Sequence, residues 1–211
     1  MAASGGPAVG VPSIKGTAFQ SVVEDLQGLV AAGRIRRAEL ETRLRAEDLR
    51  ILEDKVLPGL WYPLATYRRL TEILLEIDGG GKPEYVVRRG ARAAERLFAA
   101  GLYLQLERGE EIGAQKRRRG EGWTEREGNL VASLSGAIFN VSRWRFTVDP
   151  REAAVHHIEA NEAEDLPEVS RLAAQGFIEY TASRLSGSPV RVTSERLGRG
   201  RIVFTLRLAR A

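Results

Sequence analysis

Apolar residues recur at three- and four-residue steps through the first two thirds of the chain and at every second position near its end, which predicts helices first and strands last. Between Ala18 and Ala32, Phe19, Val22, Val23, Leu26 and the Leu29/Val30 pair form one stripe, and Gly33 supplies a stop. Arg37 to Asp48 predicts a second helix with Leu40 and Leu44 inward and Glu/Arg pairs at solvent. Pro58-Gly59 ends that pattern, and Leu60, Trp61 and Tyr62 make an apolar corner before Pro63 opens the next helix. Leu64, Tyr67, Leu70, Leu74 and Ile77 give a strong stripe, closed by Asp78-Gly79-Gly80-Gly81. From Pro83 to Leu106, Gly90, Ala93, Ala94 and Gly101 share a face with Val86, Leu97 and Leu104, which suits close approach of a neighbouring helix. Thr124 with Glu127 three residues later reads as a capping box, and the helix beyond it buries Leu130, Leu134, Ala137 and Ile138.

The period then changes to two. In Ser142 to Val148, Trp144, Phe146 and Val148 alternate with Arg143, Arg145 and Thr147, the pattern of a strand with one buried face. Asp149-Pro150 turns the chain into a second strand over Ala153 to Ala160. A helix from Pro167 to about Leu185 buries Val169, Leu172, Ala173, Phe177 and Tyr180. Val190 to Glu195 and Arg201 to Leu208 form a hairpin across Leu197-Gly198-Arg199-Gly200, with Ile202, Phe204, Leu206 and Leu208 on one face of its second strand. The expected fold is α+β: an N-terminal helical portion, then β-β-α-β-β with an antiparallel sheet packed against helices. Residues 1–13 are Gly-rich and aperiodic and read as a flexible arm. Residues 14–211 read as one α+β domain, helical over 14–140 and sheet-containing over 141–211.

Composition narrows the chemistry. The chain has no cysteine, so disulfides, thiolate metal sites and cysteine nucleophiles are excluded. Neither a signal peptide nor an uncharged run of about 18 residues is apparent, so a cytoplasmic protein is expected. The net charge is +4, from 32 Lys and Arg against 28 Asp and Glu, which is mostly balanced. Its distribution is uneven. Arg184 to Ala211 holds seven arginines and one acidic residue, whereas Asp149 to Glu168 holds seven acidic residues and one arginine, a polarity able to bring copies of the chain together. The basic surface candidates are Arg117, Arg118 and Arg119 in the charged segment, Arg143 and Arg145 on the first strand, and Arg201 and Arg207 on the last.

No catalytic constellation emerges. His156 and His157 are adjacent on a strand and therefore face opposite sides, which keeps them from one metal ion. No Gly-x-Ser-x-Gly elbow is present, and Gly79-Gly80-Gly81-Lys82 follows a helix and precedes Pro83 where a phosphate loop needs a strand before it and Ser or Thr after it. Gly198-x-Gly200 is a hairpin turn. The residues thus point away from an enzyme, and no cofactor is implied by them. Trp144, Phe146, Phe177 and Tyr180 are candidates either for core or for the wall of a ligand pocket.

The helix Gly128 to Asn140, the run Phe139 to Phe146, Ala174 to Glu179, Pro189 to Val192 and the terminal strand together resemble an uncharacterised paralogous family of myxobacteria. That family is similar to vinyl-reductase-type and haem nitric-oxide-binding-type small-molecule domains. Trp61-Tyr62-Pro63-Leu64 and Arg89 to Tyr103 extend the resemblance to about Gly16 to Leu208. It implies a mixed α/β domain with a pocket between helices and sheet, used for ligand sensing or partner binding. It carries no catalytic residue onto this chain: the cysteines of vinyl-reductase-type relatives are missing, and no histidine matches a proximal haem ligand on a helix. The leading expectation is a noncatalytic binding or regulatory module acting through self-association, as a homodimer, or through another cytoplasmic protein. A small-molecule sensor and a nucleic-acid-associated basic protein stand as alternatives.

Overall fold

The computed structural model describes residues 10–99, 124–152 and 154–208. Cα proximity divides the chain into two compact units, Met1–Tyr85 with Ile138–Asn140, and Val86–Ala137 with Val141–Ala211. Among the described residues no helix is long and apolar enough to cross a membrane.

The first unit is helical around a short ribbon. Strand β1 (Ser13–Lys15) runs antiparallel to β2 (Trp61–Pro63). Helix α1 (Gly16–Ala31) follows β1 directly and lies against α4 (Leu64–Ile77), so their stripes bury Phe19, Leu26, Leu70 and Leu74 completely. The ring of Phe19 stacks on Tyr62 at 4.8 Å, so the expected apolar corner at Leu60 to Tyr62 is in part a strand. Phe139 bridges to Ile14, and the Asn140 side chain accepts from Ser13 N and donates to Val11 O at 2.6 and 2.9 Å.

Two helices stand where one was expected. Helix α2 (Arg37–Arg43) ends at Leu44, whose backbone is extended, and α3 (Ala46–Glu53) starts after Arg45. The break is stabilised by Asp48, which accepts the Arg45 N–H at 3.0 Å in a cap. The Asp48 carboxylate is fully buried and also takes the Thr66 hydroxyl at 2.6 Å and a bidentate Arg69 guanidinium at 2.6 and 2.7 Å.

The second unit is a four-stranded antiparallel sheet, in the order β3-β4-β6-β5, with helices on its apolar face. Its strands are β3 (Arg143–Val148), β4 (Val155–Asn161), β5 (Val190–Arg196) and β6 (Arg201–Leu208). Helix α5 (Pro83–Ala99) enters this unit at Val86; the rest of the helix expected to reach Leu106 lies outside the described residues. Helix α6 (Glu125–Gly136) covers β3, and α7 (Glu168–Ser186) covers β5 and β6. The Thr124/Glu127 capping box forms as expected. The buried face of α6 instead runs through Gly128, Val131, Ala132, Leu134 and Ser135, while Ala137 and Ile138 fall beyond the helix end. Gly187 closes α7 and Gly198 turns the hairpin, both at positive φ, 67° and 75°.

Two contacts fix α7. Where α5 crosses it, Gly90 and Gly176 bring the helices together backbone to backbone. A Cβ on Gly90 would lie 2.7 Å from the Ala173 carbonyl carbon, and one on Gly176 would lie 2.7 Å from that of Val87. Along the outer edge of β5, side chains of α7 take up the backbone groups that no strand pairs. Arg171 donates to Ser194 O at 2.6 Å, Gln175 donates to Val192 O at 3.0 Å, Glu179 accepts Val192 N at 2.9 Å and Ser183 accepts Val190 N at 3.0 Å.

Candidate functional site

The sheet separates the two kinds of site candidate. Its inner face carries Trp144 and Phe146 on β3, His156, Ile158 and Ala160 on β4, and Ile202, Phe204 and Leu206 on β6. Its outer face carries Arg143 and Arg145, then His157 and Glu159, then Arg201, Thr205 and Arg207.

The four aromatic candidates fall into two groups. Trp144 stacks on Phe204 at 5.4 Å and 21°, and its indole N–H donates to the Ser142 hydroxyl at 2.8 Å. Phe146 is buried and lies tilted over His156 at 5.5 Å. On the helical side, Phe177 is buried in α7, and one turn on Tyr180 stands edge-on to the Phe98 ring of α5 at 5.8 Å. Tyr180 and Phe98 are only half-buried, and the Arg184 guanidinium lies 6.0 Å from the Phe98 ring centre. Phe98 was not singled out from sequence; it lies in the last described turn of α5.

On the outer face, Arg145 and Arg201 converge on Glu159 at 3.0 and 2.6 Å. Burial alone would raise the Glu159 pKa, but the two guanidiniums hold it below the usual carboxylate range. Arg143 reaches Glu162 at 3.1 Å, and Arg207 reaches Glu152 at 3.5 Å. Arg117, Arg118 and Arg119 lie outside the described residues.

The two histidines point to opposite faces, as their adjacency requires. Burial, with a smaller contribution from His157, pushes the His156 pKa down and favours the neutral ring. His157 sits between the Asp149 carboxylate, 3.2 Å from Nε2, and the Thr205 hydroxyl, 3.3 Å from Nδ1. A hydroxyl, an imidazole and a carboxylate in a row suggest a nucleophilic relay. Here Asp149 is already committed to the Arg151 and Glu152 N–H groups at 2.7 and 3.1 Å, and the Arg151 N–H, followed by His157, holds its pKa below the usual carboxylate range, so the row locks the β3–β4 turn. Among the described residues, no group of three His, Asp or Glu side chains is placed to hold a metal ion.

No family model matches the sequence, and no curated protein does. Solved structures do match in fold. A mutant of T. Tengcongensis H-NOX aligns at TM-score 0.57 and 13% identity over 93% of this chain and 98% of that one. The Fe(II) unliganded H-NOX protein from K. algicida aligns at 0.57 and 11%, over 94% and 98%. An H-NOX protein from S. oneidensis in the Fe(II)NO ligation state aligns at 0.54 and 11%, over 93% and 100%. At these identities the likeness is one of fold. It bears on the haem nitric-oxide-binding side of the resemblance read from the sequence, and not on its myxobacterial or vinyl-reductase sides.

A haem iron takes an axial His, Cys, Met or Tyr. The chain has no Cys, and its single Met, Met1, lies outside the described residues, as does Tyr103. His157 is tied to Asp149 and Thr205, and His156 lies beneath Phe146. The Tyr62 hydroxyl accepts the Leu57 N–H at 2.8 Å, Tyr67 is buried near Phe19, and Tyr85 is buried against Gly79. Tyr180 is set against Phe98. The described residues do not fit a haem.

Proposed function

We propose that the protein is a noncatalytic small-molecule sensor whose ligand meets the Tyr180–Phe98 pair where α5 lies on α7. The supporting observation is that 93% or more of the chain aligns in fold with an Fe(II) unliganded H-NOX protein and one in the Fe(II)NO ligation state, while among its described residues no group of three His, Asp or Glu side chains is placed to hold a metal ion. Tyr180 and Phe98 are both half-buried, with Phe177 behind them and Arg184 beside them to orient a polar end. Native mass spectrometry of protein purified from its own cells is expected to show one retained small molecule, and Tyr180→Ala is expected to lower its occupancy at least about tenfold. Protein that retains nothing, and whose Tyr180→Ala variant is indistinguishable in every ligand screen, refutes the reading.

A second reading, docking of an acidic protein partner or a second copy on the outer sheet face, is favoured by Arg143, Arg145, Arg201 and Arg207 sharing that face. Charge reversal at Arg201 and Arg207 is expected to abolish salt-sensitive association seen by sedimentation. A strictly monomeric chain that captures no partner counts against it. The nucleic-acid reading rests largely on Arg117 to Arg119 and is tested by salt-dependent binding before and after their neutralisation.

A further inference from the structure

Helix α6 meets the sheet through two glycines. Gly128 and Gly136 are eight residues apart, about two turns and therefore close to one face of the helix. Each faces an aromatic ring of β3. A Cβ on Gly128 would collide with Cδ2, Cε2 and Cζ of the Phe146 ring, and one on Gly136 would lie 3.0 Å from Cδ1 of Trp144 and 3.2 Å from its Cγ. The rings therefore lie directly on the helix backbone, with no side chain between. On their sheet side, the Trp144 ring stacks on Phe204 and the Phe146 ring tilts over His156. The layer between helix and sheet is thus a run of flat apolar groups supplied by the chain itself. Aromatic side chains bury about 150–250 Å² each, so two of them fill this layer with apolar surface of the chain's own.

We infer that Trp144 and Phe146, seated on Gly136 and Gly128, fill the layer between α6 and the sheet from within, so that this chain keeps an H-NOX-like fold without haem. The pairing of ring and glycine is reciprocal. Large rings on β3 leave no room for side chains at Gly128 and Gly136, and glycine in the interior of a helix costs about 1 kcal/mol in propensity unless something packs into the gap. The same close packing recurs where Gly90 meets Ala173 and Gly176 meets Val87, so at those two glycine seats α5 and α7 leave no separation for a macrocycle. His156, the one inward-facing histidine among the described residues, lies beneath the Phe146 ring, so an iron approaching it from the helix side meets that ring first.

The inference goes beyond the sensor reading and fails separately from it. Haem retained at stoichiometry would defeat the inference and leave a sensor; protein retaining no ligand of any kind would defeat the sensor reading and leave the inference. The test uses the full chain. Haemin titration followed by gel filtration is expected to leave no Soret band with the protein, and reduction under carbon monoxide no sharp Fe(II)–CO spectrum. A stoichiometric, shape-selective Soret band that survives filtration overturns the inference. A second arm reads the seat itself. Gly128→Ala is expected to lower Tm by about 5 °C or more, and Phe146→Leu in the same chain to recover at least half of that loss. Equal losses with and without Phe146 overturn the assignment of Phe146 to the Gly128 seat. If Gly128→Ala does not fold, Phe146→Ala with benzene replaces it: benzene is expected to raise the Tm of the variant and not that of the parent protein. No benzene-dependent shift in the variant overturns the seat in that case.

Discussion

Gly90 and Gly176 each stand where a single methyl group has nowhere to go, since the atoms it would meet are main-chain carbonyls of the opposite helix. A flexible side chain would swing aside, whereas a helix backbone has to move as a whole. Gly176→Ala is therefore expected to cost about 2–4 kcal/mol despite alanine's better helix propensity, read as a lower urea midpoint at unchanged m-value. Gly28, on the same kind of helix with open space around it, is the control: Gly28→Ala is expected to be neutral or to stabilise by up to about 1 kcal/mol. A neutral Gly176→Ala would mean that α5 and α7 are not held as described. Asp48 shows the opposite kind of residue, a buried charge whose cost is offset only because Thr66, Arg69 and the Arg45 N–H all point at it.

At the level of elements, β5 is an edge strand whose outward N–H and C=O groups are answered by one helix rather than left to pair with another molecule. Glu179→Ala leaves the Val192 N–H without its acceptor, and a destabilisation of about 1–2 kcal/mol is expected. Light scattering at elevated temperature is expected to show earlier aggregation for the double variant with Gln175→Ala, because two adjacent rungs of the edge are then exposed. Aggregation no faster than in the parent protein would show that the edge is guarded by other means. None of these rungs was visible in the sequence, because Arg171, Gln175, Glu179 and Ser183 lie outside the apolar stripe that the helical period picks out. What was legible followed period. Strand β6 occupies the predicted Arg201 to Leu208, since eight residues of alternation leave little choice of face. The ribbon of β1 and β2 was invisible because three residues carry no period. The break at Leu44 and Arg45 was hidden because the apolar spacing gave no sign of it, and only Asp48, as a cap, marks it. Of the site, the opposite facing of His156 and His157 was legible from adjacency alone, whereas the seats at Gly128 and Gly136 depend on which ring of the following strand each glycine meets.

For the whole molecule, acid is expected to act in two steps. Burial lowers the His156 pKa, so below about 6.5 the unfolded chain takes up a proton that the fold refuses, and stability declines as pH falls through that value. Asp48, Asp149, Glu159 and Glu168 are held below their ordinary values; their contribution is complete above about pH 5 and drains away as pH falls through about 4 toward their folded pKa values. Urea midpoints at pH 7.5, 5.5 and 3.5 are expected to fall in that order, with His156→Gln removing the first drop and sparing the second. A His156→Gln profile that keeps the first drop would place its origin elsewhere. The glycine crossing has a mechanical consequence for any signal the protein carries. Helices that touch main chain to main chain have no slack between them, so a push delivered at the Phe98 end of α5 is transmitted to α7 undiminished, and through its rungs to β5. The pair would act as a stiff lever, and loosening it by a single methyl should uncouple input from output even in a variant that still folds.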